Sequence, residues 1–211
     1  MSEPDPIVFV VDDDRSVLDA LGRLMGSVGL HCGLFSSAHD FLQTKRADVS
    51  SCLVLDVRLP GKNGLDFQLE LAEKNIHIPI IFITAHGDIP MSVRAMKAGA
   101  VDFLTKPFRE QDLLDAIQLA LERDRATRRQ EAELALLHEH FESLTPRERE
   151  VLPLLVSGFP NKQIAAELGI SVAAVKVHRS QLMRKMGANS LPGLVRMAEK
   201  LGIPSKSIEI Q

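Results

Sequence analysis

Five short apolar runs, each of strand length and each followed by a segment of helical pattern, dominate the first 120 residues. The runs are Ile7–Val11, Cys32–Phe35, Cys52–Leu55, Ile80–Thr84 and Val101–Leu104. Ser16–Val28, Ala38–Leu42, Leu65–Glu73 and Met91–Ala98 lie between them with apolar residues at helical spacing. In the first of these segments Val17, Leu21, Leu24, Met25 and Val28 share one face, and Gly29 ends it. A run such as IVFVV has no polar alternation, so both of its faces are buried. Strands of this kind alternating with helices give a doubly wound α/β fold, a parallel sheet covered on both faces and linked by right-handed crossovers.

In such a sheet, ligands bind beyond the carboxyl ends of the strands, where the strand order reverses. The residues able to do chemistry collect at those ends. Asp12 and Asp13 follow the first run, in IVFVVDDDRSV. Asp56 ends the third, in CLVLDVRLPGKNG, and Thr84 the fourth, in IIFITAHGD. Lys106 follows the fifth, in FLTKPF. Adjacent carboxylates repel and raise one another's pKa. The cluster is useful where a hard cation sits, and Mg²⁺ takes oxygen ligands while keeping sites for water and phosphate. Asp14 reads as the N-cap of the first helix and stays outside the metal set.

The chain of 211 residues has room for one large domain or two smaller ones. Its charge is divided. Residues 1–120 carry 11 basic and 17 acidic residues, a net −6. Residues 121–142 carry 4 and 6, a net −2, and residues 143–211 carry 10 and 5, a net +5. An acidic front and a basic back predict two modules, the second suited to a polyanion. No apolar run approaches the roughly 20 residues that span a bilayer, and MSEPDP lacks the basic and apolar regions of a secretory signal. Cys32 and Cys52 lie in strand-like runs without metal-like spacing, which fits buried thiols in a reducing cytosol.

From Glu110 to about Phe141 neither proline nor glycine interrupts. One helix of some 30 residues would be about 45 Å long, its charged middle solvated between domains. The alternative is two helices with a break near Arg125–Arg129. Residues 143–204 are helical in pattern. Leu144-Thr145-Pro146-Arg147-Glu148 combines a Thr N-cap with Pro at the first helical position. Asn161–Leu168 is a short helix ended by Gly169, Ser171 caps a longer one running to about Met186, and a last helix covers Leu191–Leu201. Helix, tight glycine turn and helix make a helix-turn-helix. On the second helix Val175, Leu182 and Met186 share an inward face, while Lys176, Ser180 and Arg184, with Val177 beside them, share an outward one.

The set Asp12/Asp13, Asp56, Thr84 and Lys106-Pro107 resembles the receiver domain of two-component response regulators over residues 6–122. The resemblance implies a flavodoxin-like, five-stranded parallel sheet. It makes Asp56 the nucleophile that takes a phosphoryl group from a sensor histidine kinase as an acyl phosphate. Asp13, Asp56 and the backbone carbonyl of Arg58 would ligate Mg²⁺, for which Mn²⁺ could substitute, and Asp12 would assist through water. Lys106 would pair with one phosphoryl oxygen and Thr84 with another. Pro107 would follow a cis peptide, and the small Ala85 would leave the phosphate side open. Phe103 would swing inward when Thr84 moves toward phosphate. The segment HGDIPMSVRAMKAGAVDFLTKPF resembles the FixJ branch of the family.

LTPREREVLPLLVSGFPNKQIAAELGISVAAVKVHRSQLMRKMG resembles the LuxR-type helix-turn-helix domain joined to receivers in the NarL/FixJ family. The expected organisation is therefore a receiver at 6–122, a helical linker at 123–141 and a DNA-binding domain at 142–205. Lys176 and Ser180 would meet base edges in the major groove of double-stranded DNA, and Val177 a thymine methyl. Arg179, Arg184, Lys185, Asn161 and Lys162 are placed for phosphates. Ala174 and Pro160 stand where the family often has threonine and serine.

The resemblance implies a cytoplasmic, phosphorylation-dependent transcriptional regulator, by family leaning an activator with RNA polymerase as a possible partner. Phosphorylation would favour a homodimer that sets two recognition helices on a pseudo-palindromic site. The chain would not be an enzyme. The rival is an aspartate-nucleophile, Mg²⁺-dependent phosphatase. Such enzymes use D-x-D-x-[TV] and a late acidic pair, and Asp56-Val57-Arg58 lacks the second acid. A regulator gated by a small ligand would need an apolar pocket where this sequence has an acidic crevice.

Overall fold

The computed structural model describes residues 4–204. The first three residues of the N-terminal segment and residue 205, the expected end of the second module, lie outside that range. The chain divides into two compact units, one up to Arg128 and one from Arg129.

In the first unit, β1 (Ile7–Val11), β2 (His31–Phe35), β3 (Ser51–Asp56), β6 (Ile80–Thr84) and β7 (Asp102–Thr105) form one sheet in the order β2-β1-β3-β6-β7, every pairing parallel. The five apolar runs are these five strands. The chain builds β2 on one side of β1 and then returns to build β3 on the other. The switch point thus lies beyond the ends of β1 and β3, where Asp12 and Asp56 stand.

Side chains along each buried strand point alternately to two separate cores. Val8, Val10, Cys52, Val54, Ile81 and Ile83 pack with Leu18, Leu21 and Met25 of α1 (Arg15–Ser27). Leu113, Ile117 and Leu121 of α5 (Glu110–Glu142) join them on that face. On the other face Phe9, Val11, Leu53, Leu55 and Phe82 pack with Phe41 of α2 (Ala38–Gln43) and with Leu65, Phe67 and Leu71 of α3 (Gly64–Glu73). Ala95 of α4 (Ile89–Lys97) completes that face. Asp14 caps α1, its Oδ1 accepting the Ser16 N–H at 2.8 Å, as the sequence predicts.

A two-stranded antiparallel ribbon of β4 (Arg58–Leu59) and β5 (Lys62–Asn63) follows β3, turning through Gly61 at φ 74°. Two-residue strands carry no period, so the sequence does not announce them.

α5 is a single helix without a break at Arg125–Arg129. Nothing in that segment interrupts the ladder, and Arg128 pairs with Asp124 one turn earlier at 2.7 Å. Residues 129–136 are exposed, in keeping with a charged middle that has no apolar face to bury.

The second unit holds α6 (Pro146–Val156), α7 (Asn161–Leu168), α8 (Val172–Lys185) and α9 (Leu191–Lys200) around a core that includes Val151, Leu155, Ile164, Val175, Leu182, Met186 and Leu194. A full capping box opens α6: the Glu148 N–H donates to Thr145 Oγ1, and the Thr145 N–H donates to Glu148 Oε2 at 2.8 Å. α7 ends at Gly169 in the left-handed region (φ 63°), which a residue with a Cβ occupies only at a cost. Ser171 then caps α8 through the Ala174 N–H at 3.1 Å.

Thr145→Ala removes one half of the capping box. It is expected to lower the stability of the second unit by about 1 kcal/mol and to leave the first unit's transition in place. Urea titration of the full chain, followed by circular dichroism, reads both.

Candidate functional site: a carboxylate crevice and a helix-turn-helix

β1 delivers Asp12 and Asp13 to the sheet's switch point, and β3 delivers Asp56. One carboxylate oxygen from each lies within 4.8 Å of the other two. Asp12 and Asp56 are buried and Asp13 is exposed, so the cluster is dry beneath and open on one side. β7 leads to Lys106, which reaches in from the far side. Its Nζ donates to Asp12 Oδ2 at 2.6 Å and stands 3.8 Å from Asp56 Oδ1. The other oxygen of Asp12 accepts the Asp14 N–H at 2.9 Å. The peptide between Lys106 and Pro107 is cis.

Burial pushes the Asp56 carboxyl above its ordinary pKa. The Lys106 ammonium opposes that rise, while Asp12 and Asp13 add to it. At rest, then, the ionised Asp56 costs the fold free energy. A hard cation or a bound positive group would remove that cost. The donor set of three carboxylate oxygens with one solvent-facing side suits Mg²⁺, which keeps several waters and needs few protein ligands. The Arg58 carbonyl lies two residues beyond Asp56, at the start of β4.

Thr84 ends β6 fully buried, and its Oγ1 accepts the His86 N–H at 3.3 Å. Ala85 is exposed. Phe103, half-buried on β7, lies opposite Phe82 with ring centroids 6.3 Å apart. Two glycines shape this end of the sheet, and neither stands out in the sequence alone. A Cβ on Gly64 would lie 2.5 Å from the Asp56 carbonyl oxygen, so only glycine lets α3 begin there. A Cβ on Gly87 would lie 2.9 Å from both the Phe103 ring and the Thr105 methyl and 3.2 Å from the Thr84 methyl. The loop after β6 therefore sits on the Phe103 ring edge. Only the tertiary approach of these segments, absent from any local pattern, reveals either need.

In the second unit the expected outward face of α8 is outward. Lys176, Ser180 and Arg184 are exposed, and Val177 is 54 % exposed. Val175, Leu182 and Met186 are buried. Lys162 is exposed at the start of α7, and Asn161 beside it is half-buried, its Oδ1 3.4 Å from an Arg179 guanidinium nitrogen. Lys185, in the expected phosphate-facing set, is half-buried. Its ammonium donates to Glu148 Oε2 at 2.7 Å and to the Ser143 carbonyl at 3.1 Å.

Comparison with known proteins bears on both units. Residues 8–118 match the family "Response regulator receiver domain", and residues 142–198 match "Bacterial regulatory proteins, luxR family". The chain belongs to the two-component response regulators of the NarL/FixJ family. Nodulation protein W of Bradyrhizobium diazoefficiens is 58 % identical over 203 residues, 96 % of this chain and 89 % of its own. The transcriptional regulatory protein FixJ of Azorhizobium caulinodans is 43 % identical over 93 % of both chains. The solved structure of the response regulator StyR superposes with a TM-score of 0.85 at 50 % identity, covering 93 % of this chain and all of that one. The chain is accordingly a DNA-binding transcriptional regulator of a two-component system. Its domain order favours that reading over the phosphatase.

Because the folded pKa of Asp56 lies above the unfolded one, its penalty is full above the folded value and fades as the pH falls from there toward the unfolded one. In EDTA, Asp56→Asn is expected to melt at a higher temperature than wild type at about pH 7.5, with the gap closing toward about pH 4. Scanning fluorimetry across pH checks it. An asparagine variant that melts lower at neutral pH would contradict the assigned charge cost.

Proposed function

We propose that Asp56 is the phosphoryl acceptor and that Mg²⁺ occupies the crevice, held by Asp13, Asp56 and the Arg58 carbonyl, with Asp12 assisting through water. When bound, the metal supplies positive charge that offsets repulsion between the carboxylates and the incoming phosphoryl oxygens. Mn²⁺ offers the same charge and oxygen preference. The observation that carries the reading is the convergence of Asp12, Asp13, Asp56 and Lys106 at one switch point, from three strands.

A carboxylate oxygen of Asp56 forms the new P–O bond as the P–N bond of the kinase's phosphohistidine breaks, and the electron pair leaves with the imidazole. Lys106 exchanges part of its Asp12 contact for a phosphoryl oxygen; its Nζ is already 3.8 Å from Asp56. Thr84 turns its hydroxyl from the His86 N–H to another phosphoryl oxygen. Ala85 leaves room for it, and Phe103 follows into the space released. The phosphoryl group is held as a signal and not passed to water as a phosphatase's turnover.

The added charge of about −2 acts at a distance only by favouring one of two conformations. The favoured one is a dimer that sets two copies of α8 at the half-sites of a pseudo-palindrome. Lys176 and Ser180 read base edges, Val177 a thymine methyl, and Arg179, Arg184, Asn161 and Lys162 hold phosphates. Supporting this are the exposure of that face and the net +5 of residues 143–211. The regulator works in the cytoplasm, as an activator meeting RNA polymerase. No described helix is long and apolar enough to cross a membrane.

Labelling by acetyl phosphate is expected to need Mg²⁺ and to vanish in Asp56→Asn. Beryllofluoride is expected to double the mass in sedimentation and to tighten binding to a DNA duplex selected from a random library. Labelling that persists in the asparagine variant, or a mass and affinity indifferent to beryllofluoride, would refute the proposal.

A further inference from the structure

Glu148 has no part in the scheme above, yet its side chain is entirely inside the second unit, with 0 % of the residue exposed. Its Oε2 accepts from the Thr145 N–H and from the Lys185 ammonium, and its Oε1 has no hydrogen-bond partner. Burial pushes this carboxyl's pKa up, but the Lys185 and Thr145 hydrogen bonds outweigh it and hold it below the ordinary value. A dry carboxylate oxygen is a cost. Buried ion pairs of this kind are often no more stable than apolar pairs of the same shape, so stability is a weak reason for keeping one.

Geometry supplies a stronger reason. Glu148 stands in the first turn of α6, locked by the capping box. Lys185 is the last residue of α8. The tie therefore joins the end of the recognition helix to the start of α6, and the second bond of Lys185, to the Ser143 carbonyl, joins it to the chain just before. Val175, Leu182 and Met186 hold α8 to the core, but apolar burial is non-directional and restrains roll about the helix axis poorly. A short hydrogen bond between charged groups is directional. At 3.6 residues per turn, Lys185 lies about 180° around the axis from Lys176 and about 140° from Ser180. It is about 100° from Arg184 and about 80° from Val177, so it stands at the flank of the groove-facing set, with its ammonium on Glu148.

We infer that Glu148, acting through Lys185, is a positioning residue for DNA recognition: it sets the roll of α8 so that Lys176, Ser180 and Arg184 enter the groove in register, and Lys185 makes no phosphate contact. This rests on the reading of α8 as the groove helix. The tie adds a directional restraint to the roll that burial of Val175, Leu182 and Met186 sets only through packing. Base contacts, which tolerate little rotation, depend on that setting more than phosphate contacts do.

The test uses the full chain with beryllofluoride, a duplex selected from a random library by the wild type, and a scrambled duplex of equal length, across a salt series. Lys185→Met is expected to lower the ratio of specific to scrambled affinity about tenfold, with the slope of log affinity against log salt unchanged. Glu148→Gln, which keeps the shape and the Thr145 cap, is expected to lower the ratio in the same direction. A phosphate contact would instead make the Lys185→Met slope shallower by about 1 with the ratio intact, and that result overturns the inference. So does a wild-type ratio and slope in Lys185→Met. If Glu148→Gln fails to fold, Lys185→Met decides alone, since the capping box stays whole in it. A wild type that selects no sequence would overturn the groove reading itself, and the tie with it.

Discussion

Three carboxylates crowd the end of a sheet whose interior is hydrocarbon, and the Lys106 ammonium lies against the two buried ones, Asp12 and Asp56. Everything in the first unit follows from tolerating that crowding. A buried charge without a partner is expensive, so the strands beneath must be anchored on both faces. Two cores of aliphatic and phenylalanine side chains do this, one on each side of the sheet. The remaining imbalance shows in the raised pKa of Asp56. Such a cost at a buried polar cluster is the trade of stability for function that active sites commonly make.

The neighbouring groups at this sheet end have partners of their own. The Thr84 hydroxyl is occupied by the His86 N–H, and Lys106 is turned toward Asp12. The loop carrying Ala85 and Gly87 lies on the edge of the Phe103 ring. Thr84, Phe103 and Thr105 all border the space beside Gly87, so these contacts share neighbours.

The second unit uses buried charge differently. The Glu148–Lys185 pair binds nothing from outside; it fixes the orientation of a helix whose opposite side is polar and exposed. In both units, directional polar contacts set geometry within a frame that apolar burial holds up. Asp124 does the same on a smaller scale, accepting the Ser51 N–H at 2.9 Å and Arg128 at 2.7 Å where α5 passes the start of β3.

The strands, the helices and the convergence of Asp12, Asp13, Asp56, Thr84 and Lys106 on one sheet edge were legible in the sequence. Runs such as IVFVV and CLVLD, the Ser171 and Thr145 caps and the Gly169 turn are encoded within about ten neighbouring residues, and chirality leaves few ways to wind the runs. The places where those segments touch were not legible. Lys106 and Asp12 are 94 residues apart, and Lys185 and Glu148 are 37 apart. The sequence places Lys185 among the phosphate-facing cations and Glu148 only at a helix start, and it gives no sign of the close approaches at Gly64 and Gly87. Their roles depend on which atom arrives within about 3 Å across a turn of the fold. That distance is decided by packing between segments, which no local periodicity records.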